Sequence, residues 1–334
     1  MKAVVLAGGK GTRLRPLTYT KPKPLLPLAG EPAIAHLIRK LARGGIEEII
    51  LTTNYFAKRL RAELGDGSNY GVRIHHVEEK SPLGTAGSVK NSESLIDGTF
   101  LVVQGDNQFE FDPRGVVERH RELDASATLA LIEVENQSEY GIADLSEGRI
   151  TCFLEKPRPE ECFSNLINSG FYVLEPEVLR LVPDGKPFDF SRNLFPMMLK
   201  SRMTLGGYRA SGFWVDIGDP ESYLKANTWA FDKLESERRL GEGRIICGSD
   251  TWISEGATVT GPVYLGNGVR VHKDTTIGHH TYIGEASEVS AGAKITSSVV
   301  YENTSIGADA VLDACVVAEN SKIGRGVQSG QHAV

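Results

Sequence analysis

The chain has 334 residues, of which 40% are hydrophobic and 24% are charged, and its formal net charge is −6. This length allows two hydrophobic cores, and the negative charge argues against general nucleic-acid binding, which needs a cationic excess. No apolar run approaches the roughly 18 residues that a membrane-spanning helix needs, so we expect no membrane association.

Cysteine usage and the first residues favour a cytoplasmic location. The four cysteines are far apart and form no C-x-x-C pair, so zinc and disulfide interpretations are weak and reduced thiols fit best. Met1 leads directly into a strand-like run without a cleavage pattern, and we therefore expect no signal peptide.

Residues 1 to about 230 alternate short apolar runs with segments of helical period. The predicted strands are Ala3 to Ala7, Glu48 to Thr53, Val72 to Val77, Phe100 to Gln104 and Ala127 to Val134. The predicted helices lie after Pro32, from Gly84 to Leu95 and from Val116 to Leu123. This alternation predicts an α/β, Rossmann-like domain with a mostly parallel sheet and helices on both faces.

The opening segment has the composition of a phosphate-binding loop but fails both common patterns. Neither the Walker A motif nor the G-x-G-x-x-G fingerprint fits the residues around Gly8. Yet Gly8, Gly9 and Gly11 let backbone N–H groups approach an anion, and Arg13 and Lys23 add positive charge. A glycine-rich turn with surface cations is the weaker alternative.

Two segments that follow apolar strands are expected to share one edge of the sheet. In open α/β sheets, ligands bind outside the carboxyl ends of the strands. That rule places Gly8–Arg13 and Gly105–Asp106 at the same edge.

The C-terminal part has a six-residue period. Apolar residues recur at Ile253, Val259, Leu265, Val271, Ile277, Ile283, Val289 and Ile295, and the register then slips and resumes at Val300 and at Val317. Small or β-branched residues stand four positions after each of the first eight, which is typical of a β-helix. We predict a left-handed hexapeptide-repeat β-helix of about four coils. The expected domains are residues 1–230, a connection at 231–248, and the β-helix at 249–334.

The motifs of the first domain resemble those of the sugar-1-phosphate nucleotidyltransferases, the nucleotide-sugar pyrophosphorylases. The matching segments, in the order of that family, are Leu6 to Thr18, Pro22 to Leu25, Pro82 to Gly87, Gln104 to Asp106, Tyr140–Gly141, Glu155 to Pro157, Asn168 to Gly170 and Trp214 to Pro220. Many family members also carry a C-terminal hexapeptide β-helix, so the resemblance covers both parts of the chain.

The resemblance implies a role for each matching position. The implied nucleotide contacts are Leu6, Ala7, Gly8, Gly9, Gly11, Thr12, Pro82, Gly84, Thr85, Ala86 and Gly105. The implied sugar-phosphate contacts are Gly141, Glu155, Lys156, Asn168 and Gly170. Asp106 and Asp216 correspond to the ligands of a Mg²⁺ cofactor, and Arg13 and Lys23 correspond to catalytic cations.

The implied chemistry explains these residue types. A sugar-1-phosphate oxygen attacks the α-phosphorus of a nucleoside triphosphate and pyrophosphate leaves, so catalysis is mostly positioning and charge neutralisation. One or two carboxylates suffice for Mg²⁺, because phosphate oxygens and water complete its shell. Arg13 would neutralise the leaving pyrophosphate, whereas Lys23 and Lys156 would hold the reacting phosphates.

The segments Glu78 to Gly87 and Asp189 to Pro196 look most like the mannose-1-phosphate guanylyltransferase branch. A glucose-1-phosphate uridylyl- or thymidylyltransferase and a non-catalytic regulatory homologue remain alternatives. Glu78 or Glu79 could accept hydrogen bonds from a base. We expect a homo-oligomer assembled through the β-helix, for which a second, acyltransferase activity is the weaker interpretation.

Three polar residues near these motifs have simpler interpretations. Asp112 and Asp219 each precede a proline and are predicted to cap helices. Asn107 could orient a water molecule of the metal or cap a turn, and its role stays open.

Overall fold

The computed structural model describes residues 1–236 and 245–330, which fall into two compact units. The first unit contains Met1–Lys10, Pro22–Pro24 and Ile34–Trp214. The second contains Gly11–Lys21, Leu25–Ala33 and the chain from Val215 onward. The glycine-rich opening segment is therefore divided between the two units.

The elements of the first 236 residues alternate between strands and helices. The strands are β1 Lys2–Leu6, β2 Pro27–Leu28, β3 Glu31–Pro32, β4 Glu48–Thr53, β5 Arg73–Glu78, β6 Phe100–Gln104, β7 Asn107–Phe109, β8 Ala127–Glu133, β9 Gly141–Ser146, β10 Arg149–Glu155, β11 Leu166–Leu174, β12 Leu205–Arg209 and β13 Trp214–Asp216. The α-helices are α1 Ala33–Arg43, α2 Ala57–Leu64, α3 Gly84–Lys90, α4 Pro113–Glu122, α5 Phe195–Lys200 and α6 Pro220–Ser236.

The first unit is built on a nine-stranded sheet in the order β5-β4-β1-β6-β11-β8-β12-β10-β9. Its first four strands are parallel, and the central ones read as unbroken apolar runs because both faces are buried. The α/β prediction is confirmed. The sheet is more mixed than predicted, because β11 lies antiparallel to both of its neighbours, β6 and β8.

Sequence signals along α1 and at the starts of α4 and α6 agree with the structure. The apolar stripe of α1, which includes Ile34 and Leu41, is buried. The Asp112 carboxylate accepts a hydrogen bond from Arg114 N at 2.9 Å, and the Asp219 carboxylate accepts one from Ser222 N at 2.8 Å, so both predicted caps are confirmed. Helix α3 ends at Lys90, whereas the sequence predicted a helix to Leu95.

Within the two described ranges, no helix is both long and apolar enough to span a membrane.

The second unit contains a parallel β-helix. Its strands are β14 Ile245–Cys247, β15 Trp252–Ile253, β16 Thr258–Val259, β17 Val263–Leu265, β18 Arg270–Val271, β19 Thr276–Ile277, β20 Thr281–Ile283, β21 Glu288–Val289, β22 Lys294–Thr296, β23 Val299–Val300, β24 Ser305–Ile306, β25 Val311–Asp313, β26 Val316–Val317, β27 Lys322–Ile323 and β28 Gln328–Gly330. They form three parallel sheets of five strands each. The predicted apolar column is the core, where Ile277, Val289 and Ile306 are fully buried.

Each β-helix sheet has five strands rather than the roughly four that the repeat predicts. The difference arises because the two end strands, Ile245–Cys247 and Gln328–Gly330, lie outside the run of apolar matches from Ile253 to Ile323 and pair parallel to Val263–Leu265 and Val311–Asp313. Of the segment predicted as a connection, residues 231–236 belong to α6, and residues 237–244 lie outside the described residues.

Candidate active site

A pocket of about 260 Å³ opens at the carboxyl ends of β1, β4, β5 and β6 in the first unit. It is lined by Leu6, Gly8, Gly9, Thr52, Asn54, Glu79, Pro82, Leu83, Gly84, Thr85, Ser88, Gln104, Asp106 and Asp189. The structure therefore brings together the glycine-rich turn and Asp106, which the sequence placed at one edge, and adds the Pro82–Thr85 segment to them.

The glycines at this edge of the sheet differ in why a side chain is absent there. A Cβ at Gly9 would meet no atom within 4 Å, and one at Gly8 would approach only to 3.5 Å, so packing within the protein does not require either glycine. Both positions leave open space on the pocket side, which suits close approach of a ligand. At Gly105 a Cβ would lie 2.9 Å from the Leu6 carbonyl oxygen, so that glycine serves the packing of the chain against β1.

The remaining residues predicted to contact the nucleotide are not among the lining residues of this pocket. Ala7 and Ala86 are buried in the protein core, and Gly105 N donates to Leu6 O at 2.9 Å. Gly11 and Thr12 belong to the second unit.

The segment that begins α3 is fixed by hydrogen bonds to residues 188–190. Gly84 has a φ of +71°, and a Cβ there would lie 2.7 Å from Phe188 O, so only glycine fits without displacement. The Thr85 hydroxyl donates to Asp189 Oδ2 at 2.8 Å and accepts from Phe190 N at 2.9 Å. This wall of the pocket is consequently held in one conformation.

Glu79 is a buried carboxylate in the pocket wall, only 6% exposed. Its Oε2 accepts from Leu83 N at 3.2 Å, and its Oε1 accepts from the Ser88 hydroxyl. Glu78 is exposed and does not line the pocket. Of the two glutamates that the sequence left open, Glu79 is the one that lines the pocket.

Four predicted sugar-phosphate residues form two close pairs, Asn168 with Gly170 and Gly141 with Glu155. Asn168 Nδ2 donates to the Tyr172 hydroxyl at 2.9 Å and to Ser191 Oγ at 3.1 Å, while its Oδ1 accepts from Gly170 N at 3.0 Å. At Gly141, a Cβ would lie 2.7 Å from Glu155 Oε2. Burial raises the pKa of Glu155, and the negative charge of Asp189 raises that pKa further.

The fifth predicted residue, Lys156, is exposed and directly follows Glu155. Its backbone has a φ of +48°, and its N–H donates to Tyr140 O at 3.0 Å. The Tyr140 ring packs edge-on against Trp214 at 5.5 Å between centroids, and Trp214 Nε1 donates to Ser169 O at 3.0 Å. A backbone hydrogen bond therefore fixes the position of Lys156, whereas its side chain extends into solvent.

Asn107 has a structural explanation. It begins β7, is buried, and donates through its amide to Ser169 O. Gly170, with a φ of +78°, leaves the space for it, because a Cβ there would lie 2.7 Å from Asn107 Nδ2. The Asn107 side chain links β7 to β11 and does not cap a turn.

Each of the two carboxylates predicted to bind metal lies near a cation of the opening segment. In the first unit, Lys23 Nζ lies 2.6 Å from Asp106 Oδ2, and both side chains are largely buried. In the second unit, Arg13 Nη2 lies 4.0 Å from Asp216 Oδ2. The sequence identified these four residues but did not predict their pairing.

A cluster of three or more acidic, histidine or cysteine ligands is absent from the described residues. Mg²⁺ does not require one, since it takes one or two carboxylates and completes its shell with phosphate and water oxygens. Carboxylates are the ligand type that Mg²⁺ takes, so the chemistry of Asp106, in the first unit, and of Asp216, in the second, matches the predicted cofactor.

Sequence reasoning missed Thr52, Asn54 and Ser88 as lining residues, and it singled out Asp189 only as part of a subfamily segment and not as a pocket residue. Asn54 comes directly after β4, at the same edge as Gly8 and Asp106. The carboxyl-end rule that found those two residues would have found Asn54 as well.

Comparison with protein-family models gives two matches along the chain. A model described as "Nucleotidyl transferase" matches residues 2–232. A model described as "GMPPB C-terminal domain" matches residues 259–334.

Similar proteins carry related but different names. A UTP–glucose-1-phosphate uridylyltransferase from Synechocystis sp. is 32% identical, covering 92% of this chain and 84% of the relative. A mannose-1-phosphate guanylyltransferase from Mycobacterium tuberculosis is 33% identical, covering 91% and 80%. A mannose-1-phosphate guanyltransferase from Saccharomyces cerevisiae is 34% identical, covering 75% and 70%.

Solved structures resemble about two thirds of the chain. One from Bacillus anthracis, provisionally named a glucose-1-phosphate thymidylyltransferase, has a TM-score of 0.64 and 29% identity over 69% of this chain and 95% of its own. HddC from Yersinia pseudotuberculosis, complexed with GMP-PN, has a TM-score of 0.59 and 30% identity over 68% of this chain and 97% of its own.

Proposed function

This chain belongs to the nucleotidyl transferase family, as a sugar-1-phosphate nucleotidyltransferase, and on that premise we propose that it makes GDP-mannose from GTP and mannose-1-phosphate. A phosphate oxygen of mannose-1-phosphate attacks the α-phosphorus of GTP. The bond from that phosphorus to the β-phosphate oxygen breaks, and pyrophosphate leaves. The observation that carries the proposal is the pocket in which an open glycine turn and Asp106 share one edge of the sheet.

The roles proposed for the charged residues follow from their chemistry. Arg13 neutralises the charge that grows on pyrophosphate, and Lys23 and Lys156 hold the reacting phosphates. Asp106 and Asp216 hold Mg²⁺, which when bound neutralises phosphate charge and aligns the phosphates. Since the attacking phosphate oxygen is already a nucleophile, the protein needs to supply orientation and charge rather than a covalent intermediate.

Preference for guanine is supported by Glu79. Guanine presents two adjacent donors, N1–H and the N2 amine, whereas uracil and thymine present one N–H between two carbonyls. A carboxylate has about four acceptor positions, and contacts from Leu83 and Ser88 use two of them. The names of the mycobacterial and yeast relatives and of the second family model point the same way.

Uridylyl or thymidylyl transfer to glucose-1-phosphate is the second candidate. It is favoured by the names of the Synechocystis relative and the Bacillus structure.

We further propose that residues 1–230 form the catalytic domain. Residues 231–248 connect it to a β-helix at 249–334, which assembles a homo-oligomer.

The test is a matrix of four nucleoside triphosphates against mannose- and glucose-1-phosphate, with Mg²⁺ and detection of released pyrophosphate. We expect GTP with mannose-1-phosphate to give the highest kcat/KM. A higher kcat/KM for UTP or dTTP with glucose-1-phosphate would show that the enzyme is a uridylyl- or thymidylyltransferase instead. Absence of turnover with all eight pairs would support a non-catalytic homologue.

A further inference from the structure

The segment that carries Arg13 is grouped with the β-helix and not with the catalytic sheet. Residues Gly11–Lys21 and Leu25–Ala33 belong to the second unit, together with α6 and the β-helix strands. Lys23, by contrast, belongs to the first unit. The contacts that hold the Arg13 segment within the second unit therefore determine what positions its guanidinium.

The hairpin β2–β3 is bonded to α6, which is in turn bonded to the β-helix. The Tyr223 hydroxyl of α6 donates to Pro27 O at 2.7 Å and lies 3.0 Å from the Tyr301 hydroxyl. Because Tyr223 uses its proton on Pro27, Tyr301 is the donor in the second bond. Ala29 N donates to Asn227 Oδ1 at 2.9 Å, and Asn227 Nδ2 donates to His280 O at 3.2 Å.

Lys21, at the end of the Arg13 segment, is held by two consecutive β-helix residues. Its ammonium lies 2.7 Å from Glu302 Oε1 and 5.0 Å from the centre of the Tyr301 ring. The Lys21 side chain is 14% exposed and the Glu302 side chain 25% exposed. A pair so little exposed is screened less by salt than a surface pair.

The stretch between Lys21 and Arg13 is compact. Leu14 and Leu17 are buried, and the Thr18 hydroxyl donates to Gly11 O at 2.7 Å. The Arg13 guanidinium lies over Gly218, where a Cβ would approach Nη2 to 2.9 Å. A displacement at Lys21 would reach Arg13 through Leu17 and Leu14, which are the buried anchors of the intervening chain.

We propose that Tyr301 and Glu302 of the β-helix are positioning residues for Arg13 and act through Lys21. The proposal rests on the role of Arg13 proposed above. The β-helix is then part of the catalytic apparatus through this one coil, in addition to any role in assembly.

Two variants and a control test the proposal in the full-length chain. Glu302→Ala removes the contact with Lys21, and Glu302→Gln keeps an acceptor without the charge. Asp309→Ala removes an exposed β-helix ion pair with Arg325, at 3.0 Å, and serves as the matched control. Steady-state kcat and KM with GTP and mannose-1-phosphate are measured for each, alone and combined with Arg13→Ala.

We expect Glu302→Ala to lower kcat by about 10- to 100-fold with little change in either KM, since a misplacement of about 1 Å costs this much. Glu302→Gln should restore part of the loss, and Asp309→Ala should match the wild type. In the Arg13→Ala background, Glu302→Ala should have no further effect. An unchanged kcat, or the same fold-loss with and without Arg13, would overturn the proposal.

Hydrogen exchange gives a readout that does not depend on the substrate. Amides of residues 11–21 should exchange faster in Glu302→Ala than in the wild type or Asp309→Ala. Unchanged exchange would refute the anchoring. If the wild-type enzyme turned over no substrate pair, the proposed function would fail, and exchange alone would decide whether Glu302 holds this segment.

Discussion

At the scale of single residues, the two cations of the opening segment lie beside the two carboxylates assigned to Mg²⁺, Lys23 on Asp106 and Arg13 on Asp216. Each carboxylate thus has a positively charged neighbour within its own unit. The same cations are then available to phosphates. In the proposed function these cations also contact substrate phosphates, and charged rather than neutral donors are therefore expected at both positions.

Asp106→Asn tests the metal-binding assignment while keeping an oxygen near Lys23. We expect kcat to fall by at least about 100-fold, as it does on removing one electrostatic group from a transition state. The thermal midpoint should change little. Asp112→Asn is the control, because asparagine also caps helices and Asp112 lies outside the pocket. Unchanged turnover in Asp106→Asn would remove Asp106 from the mechanism.

Gly218→Ala tests the position of Arg13 without changing it. The new methyl would lie 2.9 Å from Arg13 Nη2, the mobile end of a long side chain, so the guanidinium and not the backbone is expected to move. We expect a loss of about tenfold in kcat with a nearly native thermal midpoint. Gly256→Ala, where the nearest atom lies at 3.5 Å, is the matched control. Equal kcat values for the two variants would contradict the assignment.

The pKa of Glu155 predicts a pH-dependent stability difference. Burial and Asp189 raise this pKa in the folded protein, so the contribution of Glu155 to stability is complete below the unfolded pKa and is lost as pH rises through the folded pKa. Glu155→Gln, which resembles the protonated form, should be more stable than the wild type at pH 7 and equal to it near pH 4. Urea unfolding at the two pH values measures this. A Glu155→Gln variant that is less stable at pH 7 would show that the ionised carboxylate is stabilised in the fold.

At the scale of elements, periodicity identified the strands that are buried on both faces and missed those interrupted by site residues. Strands β1, β4 and β6 are apolar runs and were predicted within one residue. Strand β11 has Asn168, Ser169 and Gly170 in its middle, where its register against β8 shifts. The sequence identified this triplet as a ligand motif and not as part of a strand, because polar residues and glycine disguise the strand pattern.

Thr85→Val tests whether the wall formed by α3 and residues 188–190 shapes the nucleotide site. The isosteric change removes the bonds to Asp189 and Phe190 N, and should cost about 1–3 kcal/mol of unfolding free energy by leaving polar groups unpaired. It should also raise the KM for the nucleotide more than that for the sugar phosphate. An effect on stability with both KM values unchanged would limit the role of Thr85 to folding.

At the scale of the whole molecule, the six-residue repeat predicted the β-helix core residue by residue, because one inward position per strand must be apolar in every coil. The division of the opening segment between two units was not predictable. It depends on contacts between residues far apart in the sequence, such as Lys21 with Glu302, which are 281 positions apart. A single sequence carries no signal for such pairs. The same limit applies to the pairing of Arg13 with Asp216.

The central claim is that the chain transfers a nucleotidyl group to a sugar-1-phosphate. Phosphorus NMR of the wild-type protein with Mg²⁺, GTP and mannose-1-phosphate follows every phosphate in one sample. We predict equal amounts of pyrophosphate and a sugar-linked diphosphate, formed as both substrates disappear. Release of orthophosphate with mannose-1-phosphate unchanged, or spectra that stay constant with this pair and with the UTP and dTTP pairs, would contradict the account.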